Sequence, residues 1–267
     1  YIKKLNEHSD TINSCVFSSD SKLIASSSYD KTVKIWDVSS GKLFRNLEGH
    51  TAPVTFCIFS PDNKLIVSTS YDRTIKIWEV SSGILLKNIT EIDNNISSLI
   101  YSSDGKYIII GDIKGVIKIF DICYEKVKTI KSHFKEITSL NSISDGNFLI
   151  TGSYDKTIKI WEISTGKLIK TLGDYYCMIS SISFSPDKKY ISITHENAVS
   201  FCSYKQEKDK FDITNHVTFY NLPDNNWFTV MEENKNFVCS EGAKEYFYFN
   251  DNLAIYPISD FPELEKK

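Results

Sequence analysis

The sequence carries few of the patterns on which reactive chemistry usually depends. No GxxxxGK[ST] or GxGxxG run occurs in its 267 residues, so the chain has no phosphate cradle of its own. Its six cysteines, Cys15, Cys57, Cys123, Cys177, Cys202 and Cys239, form no CxxC pair, which removes the usual zinc clip and the thioredoxin-like redox motif. His195-Glu196 lacks a second histidine at metal-ligand spacing and His216 stands alone, so no metal and no cofactor is expected. No run approaches 18 apolar residues, and there is no signal peptide, so no membrane partner is expected. An excess of positive charge is missing too: 31 Lys and Arg against 34 Asp and Glu leave a formal net charge of −3. The lysines are spread one or two per strand, which gives no basic face for nucleic acid. Free thiols without a disulfide framework suit a reducing compartment and point to a cytoplasmic protein. Cys15 and Cys57, at one position of successive repeats, read as small core residues. The chain begins at Tyr1 without Met, so targeting segments or partner domains upstream are invisible in it.

Repetition is what the sequence does have. SSYDKTVKIWDV from Ser27 returns as TSYDRTIKIWEV from Thr69 and as GSYDKTIKIWEI from Gly152. A histidine precedes each copy at a fixed distance: His8, Asp30 and Trp36, then His50, Asp72 and Trp78, then His133, Asp155 and Trp161, all stepping by 22 and then 6 residues. Trp36 and Trp78 lie 42 residues apart, within the roughly 40 to 45 residues of one four-stranded propeller blade ending in a Trp-Asp dipeptide. With 41% apolar and 13% aromatic residues the chain can bury a large core.

On these residues the chain resembles the WD-repeat β-propellers. The expected fold is all-β, with four-stranded antiparallel blades. Six blades can be counted, or seven if residues 217–258 are split or a blade lies upstream. In the first repeat the strands fall near Ile12 to Ser18, Leu23 to Ser28 and Thr32 to Val38, with Ser39-Ser40-Gly41 turning into an outer strand. Tyr1 to Leu5 matches the outer-strand segments and is expected to close the ring by completing the last blade. Repeat three is eroded, with Lys114, Phe120 and Ile92 at the Asp, Trp and His positions. Repeat five has His195 and Phe201 at the Asp and Trp positions. Both are expected to be held by packing without the full relay. The predicted domain is a single propeller over 1–258, with regular repeats to 205, a degenerate last blade at 206–258 and a tail at 259–267. The closing segment, from LPDNNW to DFPELE, is similar to that of bacterial multidomain WD-repeat proteins.

The resemblance implies a buried relay in which the histidine, a hydroxyl of the second strand, the aspartate and the tryptophan bond one another. Ser26 and Ser28 are both candidates for the hydroxyl in the first repeat. His, Asp and Ser also spell a hydrolase triad, but a triad appears once, beside an oxyanion hole. This set appears three times, each time with Trp, so no enzyme is expected.

Family geometry places a second set of residues around the mouth of a central channel: Tyr29, Tyr71, Tyr154 and Ile113 before the turn, and Asn13, Thr55, Ser97, Thr138 and Ser180 on the inner strands. Tyrosine is enriched at binding hot spots. The expected function is a non-catalytic scaffold that binds a protein or peptide on that face. Two alternatives stand beside it. One is a sensor module regulating an NTPase or protease-like domain of a longer bacterial chain, whose other domains would then be partners. The weaker one is a propeller enzyme with a channel site.

Overall fold

The VKIWD, IKIWE and VIKIFD runs become strands buried on both faces, because lysine as well as isoleucine is covered along them. The computed structural model describes residues 4–90, 92–121, 123–143, 146–172, 178–185, 187–195, 198–207, 210–221, 227–231 and 236–239. Among them there are 22 strands and no helix. The chain divides into two compact units, Tyr1–Tyr176 and Cys177–Lys267.

The first unit holds four sheets of four antiparallel strands, each paired in sequence order. The first sheet is β1 (Ile12–Phe17), β2 (Leu23–Ser28), β3 (Val33–Asp37) and β4 (Leu43–Leu47). The second is β5 (Val54–Phe59), β6 (Leu65–Ser70), β7 (Ile75–Glu79) and β8 (Leu85–Ile89). The third is β9 (Ile96–Tyr101), β10 (Tyr107–Asp112), β11 (Val116–Asp121) and β12 (Lys126–Lys131). The fourth is β13 (Ile137–Ile143), β14 (Phe148–Ser153), β15 (Ile158–Glu162) and β16 (Leu168–Leu172). The inner strands β1, β5, β9 and β13 are neighbours in that order. The turns follow their residues: Gly41 adopts φ 71° and donates its N–H to Asp37 O at 2.8 Å, a hairpin closure that needs a left-handed residue.

Apolar side chains from facing sheets fill the space between them. Val33, Ile35 and Leu47 of the first sheet meet Val54, Ile66 and Trp78 of the second. Ile75, Ile77 and Ile89 then meet Ile96, Ile108 and Phe120. Ile109, Ile117 and Ile119 meet Ile137, Leu149 and Trp161. A blade buried on both faces thus ties its stability to its neighbours, as stacked repeats do. Cys57 is buried, as expected, but Cys15 is exposed. The same position differs because β5 is covered on both faces and β1 is not.

The second unit has one sheet of six strands: β17 (Ile179–Phe184), β18 (Tyr190–His195), β19 (Ala198–Glu207), β20 (Lys210–Asn221), β21 (Trp227–Met231) and β22 (Asn236–Cys239). β19 and β20 form one long hairpin, with Glu207 opposite Lys210 and Ala198 opposite Tyr220. Strands after Gln206, expected in a separate last blade, instead extend the sheet of repeat five. Aromatic pairs hold the long hairpin together: Phe201 meets Phe219 edge-on, and Tyr204 stacks on Phe211.

Register corrects one further expectation. Cys202 pairs with Ile191 as Trp36 pairs with Ile24, so Cys202 and not Phe201 takes the tryptophan's place. Cys202 is 2% exposed and Phe201 43%. The closing strand expected at Tyr1 to Leu5 lies largely outside the described residues, as do most of the proposed last blade and all of the tail.

Candidate functional site

The three repeated sets form the same hydrogen-bonded relay. In the first sheet His8 Nδ1 is 2.7 Å from Asp30 Oδ2 and His8 Nε2 is 2.7 Å from Ser26 Oγ. Trp36 Nε1–H donates to Ser26 Oγ at 2.9 Å. The second sheet repeats this through Asp72, His50, Ser68 and Trp78 at 2.8, 2.8 and 2.9 Å. The fourth does so through Asp155, His133, Thr151 and Trp161 at 2.9, 2.6 and 3.1 Å. Of the two candidate serines, Ser26 is the relay member. Ser28 bonds Asp10 O and accepts the N–H of Asp30.

Donor chemistry fixes the direction of these bonds. An indole N–H can only donate and a carboxylate can only accept. With the imidazole neutral and protonated on Nδ1, histidine Nδ1–H donates to the aspartate, and the hydroxyl that accepts from Trp can give its own hydrogen to histidine Nε2. This order requires a neutral imidazole. Burial pushes His50 and His133 below the ordinary histidine range, against the opposing pull of Asp72 and Asp155. Burial alone would raise the Asp30 carboxyl, but hydrogen bonds from Thr32 and His8 outweigh it and hold it at about 2. Asp72 and Asp155 are likewise lowered, burial opposing and the hydroxyls of Thr74 and Thr157 leading the stabilising contacts.

Those threonines are relay members that the spacing did not single out. Thr32, Thr74 and Thr157 donate to the aspartates at 2.7, 2.7 and 2.6 Å. The signal was present as Asp-Lys-Thr, Asp-Arg-Thr and Asp-Lys-Thr. Sheet three was expected to be held by packing without the full relay, and it has a partial substitute. Asp112 Oδ2 accepts from Asn94 Nδ2 at 2.8 Å, and its Oδ1 accepts the N–H groups of Lys114 and Val116 at 2.8 and 2.9 Å. In the fifth sheet His195 Nε2 lies 3.0 Å from Ser200 Oγ.

The relay is closed to substrates. Ser68 and Thr151 are fully buried, and each oxygen already accepts from an indole and engages an imidazole. What resembles a triad is therefore a set of structural clasps.

Five of the nine positions expected at a channel mouth share a local geometry that alternation alone did not reveal. Asn13, Thr55, Ser97, Thr138 and Ser180 are each the extra residue of a β-bulge in β1, β5, β9, β13 and β17. A bulge re-aims a side chain and sharpens the local twist. Four of these hydroxyls and amides are already engaged. Asn13 Nδ2 donates to Val54 O at 2.7 Å and Ser97 Oγ to Ile137 O at 2.7 Å, each tying one inner strand to the next. Thr55 and Thr138 bond Thr69 O and Gly152 O of their own sheets, both at 3.1 Å. Ser180 lies in the second unit and is exposed.

The four residues before the turn are held from behind by one recurring bond. The N–H groups of Tyr29, Tyr71, Ile113 and Tyr154 donate to the carbonyls of Thr11, Pro53, Asn95 and Glu136 at 2.9, 3.1, 3.1 and 3.1 Å. Their side chains stay in solvent: Tyr29, Tyr71, Ile113 and Tyr154 are 41, 45, 38 and 36% exposed. Tyr29 rests edge-on against Tyr71, with ring centroids 6.4 Å apart. An open cavity of about 390 Å³ gathers Asn13, Thr55, Ser97, Tyr71 and Ile113, together with Asn95 and Glu136. Tyr29, Tyr154 and Thr138 lie outside its lining.

Repeated four-stranded sheets, joined in sequence order and each closed by a His–hydroxyl–Trp clasp or its substitute, define a WD-repeat β-propeller. Such propellers generally serve as platforms for protein interaction. Residues 1–239 match the model of the IFT122 first beta-propeller, and the chain belongs to that family.

Proposed function

We propose that the chain is a non-catalytic binding module whose partner, a protein or a peptide segment, docks on the rim formed by Tyr29, Tyr71, Ile113 and Tyr154. One observation carries the reading: four exposed apolar or amphipathic side chains stand on backbone pinned by the same hydrogen bond, two of them bordering an open cavity. Large side chains on a fixed backbone lose little entropy when a partner arrives. The three His–Asp–hydroxyl sets, which resemble acid–base machinery, are engaged in the clasps. The module's free thiols suit the cytoplasm, and its charge distribution suits a protein partner over nucleic acid or a membrane.

The test is selection of a random peptide display library on the intact chain, with counter-selection on Tyr71→Ala. Peptides that bind the natural sequence and are lost with Tyr71→Ala, at an unchanged melting temperature, support the rim. Peptides that bind both chains equally move the site elsewhere. The sensor alternative is separated by the sequence encoded ahead of Tyr1. An NTPase or protease-like domain there supports it, and a start codon at that point removes it.

A further inference from the structure

The four residues whose carbonyls anchor the rim occupy equivalent places just before the bulges: Thr11, Pro53, Asn95 and Glu136. Only Glu136 brings an ionisable group, and it brings it into the cavity. Its side chain is half-buried, and among the described residues it makes no hydrogen bond or ion pair. Several other acids of the first unit are ion-paired, among them Asp93 with Lys118, Asp104 with Lys106, and Glu125 with Lys87. Burial pushes the Glu136 carboxyl above the usual range, with no donor to offset it. The Tyr71 phenol is raised as well, by burial first, then by Tyr29 and by Glu136, so the carboxylate and the phenol share one electrostatic neighbourhood.

The rest of the lining has the same polarity. No lysine, arginine or histidine contributes to it. The Asn13 amide, the Ser97 hydroxyl and the Thr55 hydroxyl direct their hydrogens to backbone carbonyls or to Thr69. The donors of Asn13, Ser97 and Thr55 are committed, Asn95 and Tyr71 add neutral donors, and the Glu136 carboxylate and the Asn13 amide oxygen remain able to accept. An anion would meet no positive charge here and would face Glu136. A cation would meet a carboxylate, an amide oxygen and a tyrosine ring, a combination that favours ammonium or guanidinium groups. At about 390 Å³ the space is at the small end of ligand pockets, roughly 300 to 1,000 Å³, and suits one long side chain better than a folded surface.

We propose that this cavity receives the cationic end of one lysine or arginine side chain from the partner segment, with Glu136 as its counter-charge and Tyr71 beside it. The inference rests on the rim reading above and adds the chemistry of the anchor. The experiment uses peptides recovered by display on the intact chain, resynthesised and titrated calorimetrically. The expected result is a lysine or arginine at one shared position. Replacing it by norleucine, or changing Glu136→Gln, weakens binding at least about thirtyfold, the lower end for truncating one member of a desolvated charge pair. In the Glu136→Gln chain the norleucine replacement then costs little further, because the pair is already broken. Peptides that require Tyr71 but share no basic residue, or that bind Glu136→Gln as tightly as the natural chain, overturn this inference and leave the rim standing. Failure to recover any Tyr71-dependent peptide overturns both. The norleucine arm leaves the protein untouched, so a fault in folding of the variant does not blur the outcome.

Discussion

Asp72→Asn separates a directed relay from simple packing, because asparagine nearly matches aspartate in shape and differs in what it can accept. In the natural chain Asp72 accepts from His50 Nδ1 at 2.8 Å, from the Thr51 N–H at 2.9 Å, and from the Thr74 N–H and hydroxyl at 2.9 and 2.7 Å. Asparagine retains one oxygen, enough for the two Thr74 donors, but its NH₂ then faces His50 Nδ1–H and the Thr51 N–H. Histidine could move its proton to Nε2 and donate to Ser68, whose oxygen can accept from imidazole and indole together, but the Ser68 hydrogen would then lose the Nε2 acceptor. Whichever tautomer forms, at least one donor within a nearly closed site is orphaned, since the side chains of His50 and Asp72 are 1% and 7% exposed. An orphaned buried donor costs about 1 to 3 kcal/mol. At about 2 to 4 °C per kcal/mol for a chain of this size, the expected fall in melting temperature is roughly 2 to 12 °C. Differential scanning calorimetry reads it directly. Ser68→Ala should be destabilising too, and the double variant should lose less than the sum of the two, since both break one relay. Asp72→Asn melting with the natural chain would refute this order of donors and acceptors.

Three further outcomes follow from the same geometry. The His50 and His133 pKa values are lowered, so the unfolded chain binds more protons than the folded one as pH falls below about 6.5. Stability should therefore decline from about pH 6.5 downward, and decline again below about pH 4 as the unfolded counterparts of Asp30, Asp72 and Asp155 protonate first, which urea melts across pH will show. Gly115→Ala should destabilise by about 1 to 3 kcal/mol, because Gly115 has φ +79° and an added Cβ would stand 2.2 Å from the His133 carbonyl oxygen. Asp112→Ala should cost a similar amount by leaving the Asn94 amide and two backbone N–H groups without their acceptor, where a blade held by packing alone would lose almost nothing.

Much of the first unit was legible in the sequence because the repeat supplied its own alignment. The strand from Leu23 to Ser28 and the outer strand ending at Leu47 fall where the pattern places them. His, Asp and Trp at fixed spacing marked the clasps. The serine was not legible, since Ser26 and Ser28 lie on one face of β2 and only their partners distinguish them, His8 and Trp36 for Ser26 and the Asp10 carbonyl for Ser28. Asp112 was hidden by sitting two residues ahead of the expected aspartate, where it bonds Asn94 in place of a histidine. In repeat five the 40-residue step to Phe201 concealed a slip of one position, and the 41-residue step from Trp161 reaches the buried Cys202. At the rim, sequence identified the exposed tyrosines but gave no sign of the bulges, which depend on pairing between strands. Glu136 escaped notice because its meaning is relative: it is the one charge among four equivalent anchor positions, and that equivalence emerges only from the shared backbone bond.

The proposed function divides the repeated residues into those that hold the fold and those that bind, and a single paired experiment tests that division. For a peptide selected on the intact chain, melting temperature and dissociation constant are measured for Tyr71→Ala and for Trp78→Ala. Tyr71→Ala should weaken binding about tenfold or more while melting within a few degrees of the natural chain. Trp78→Ala should lose about 3 to 5 kcal/mol of stability. Unchanged affinity in Tyr71→Ala, or a loss of affinity matched by an equal loss of fold, would overturn the division.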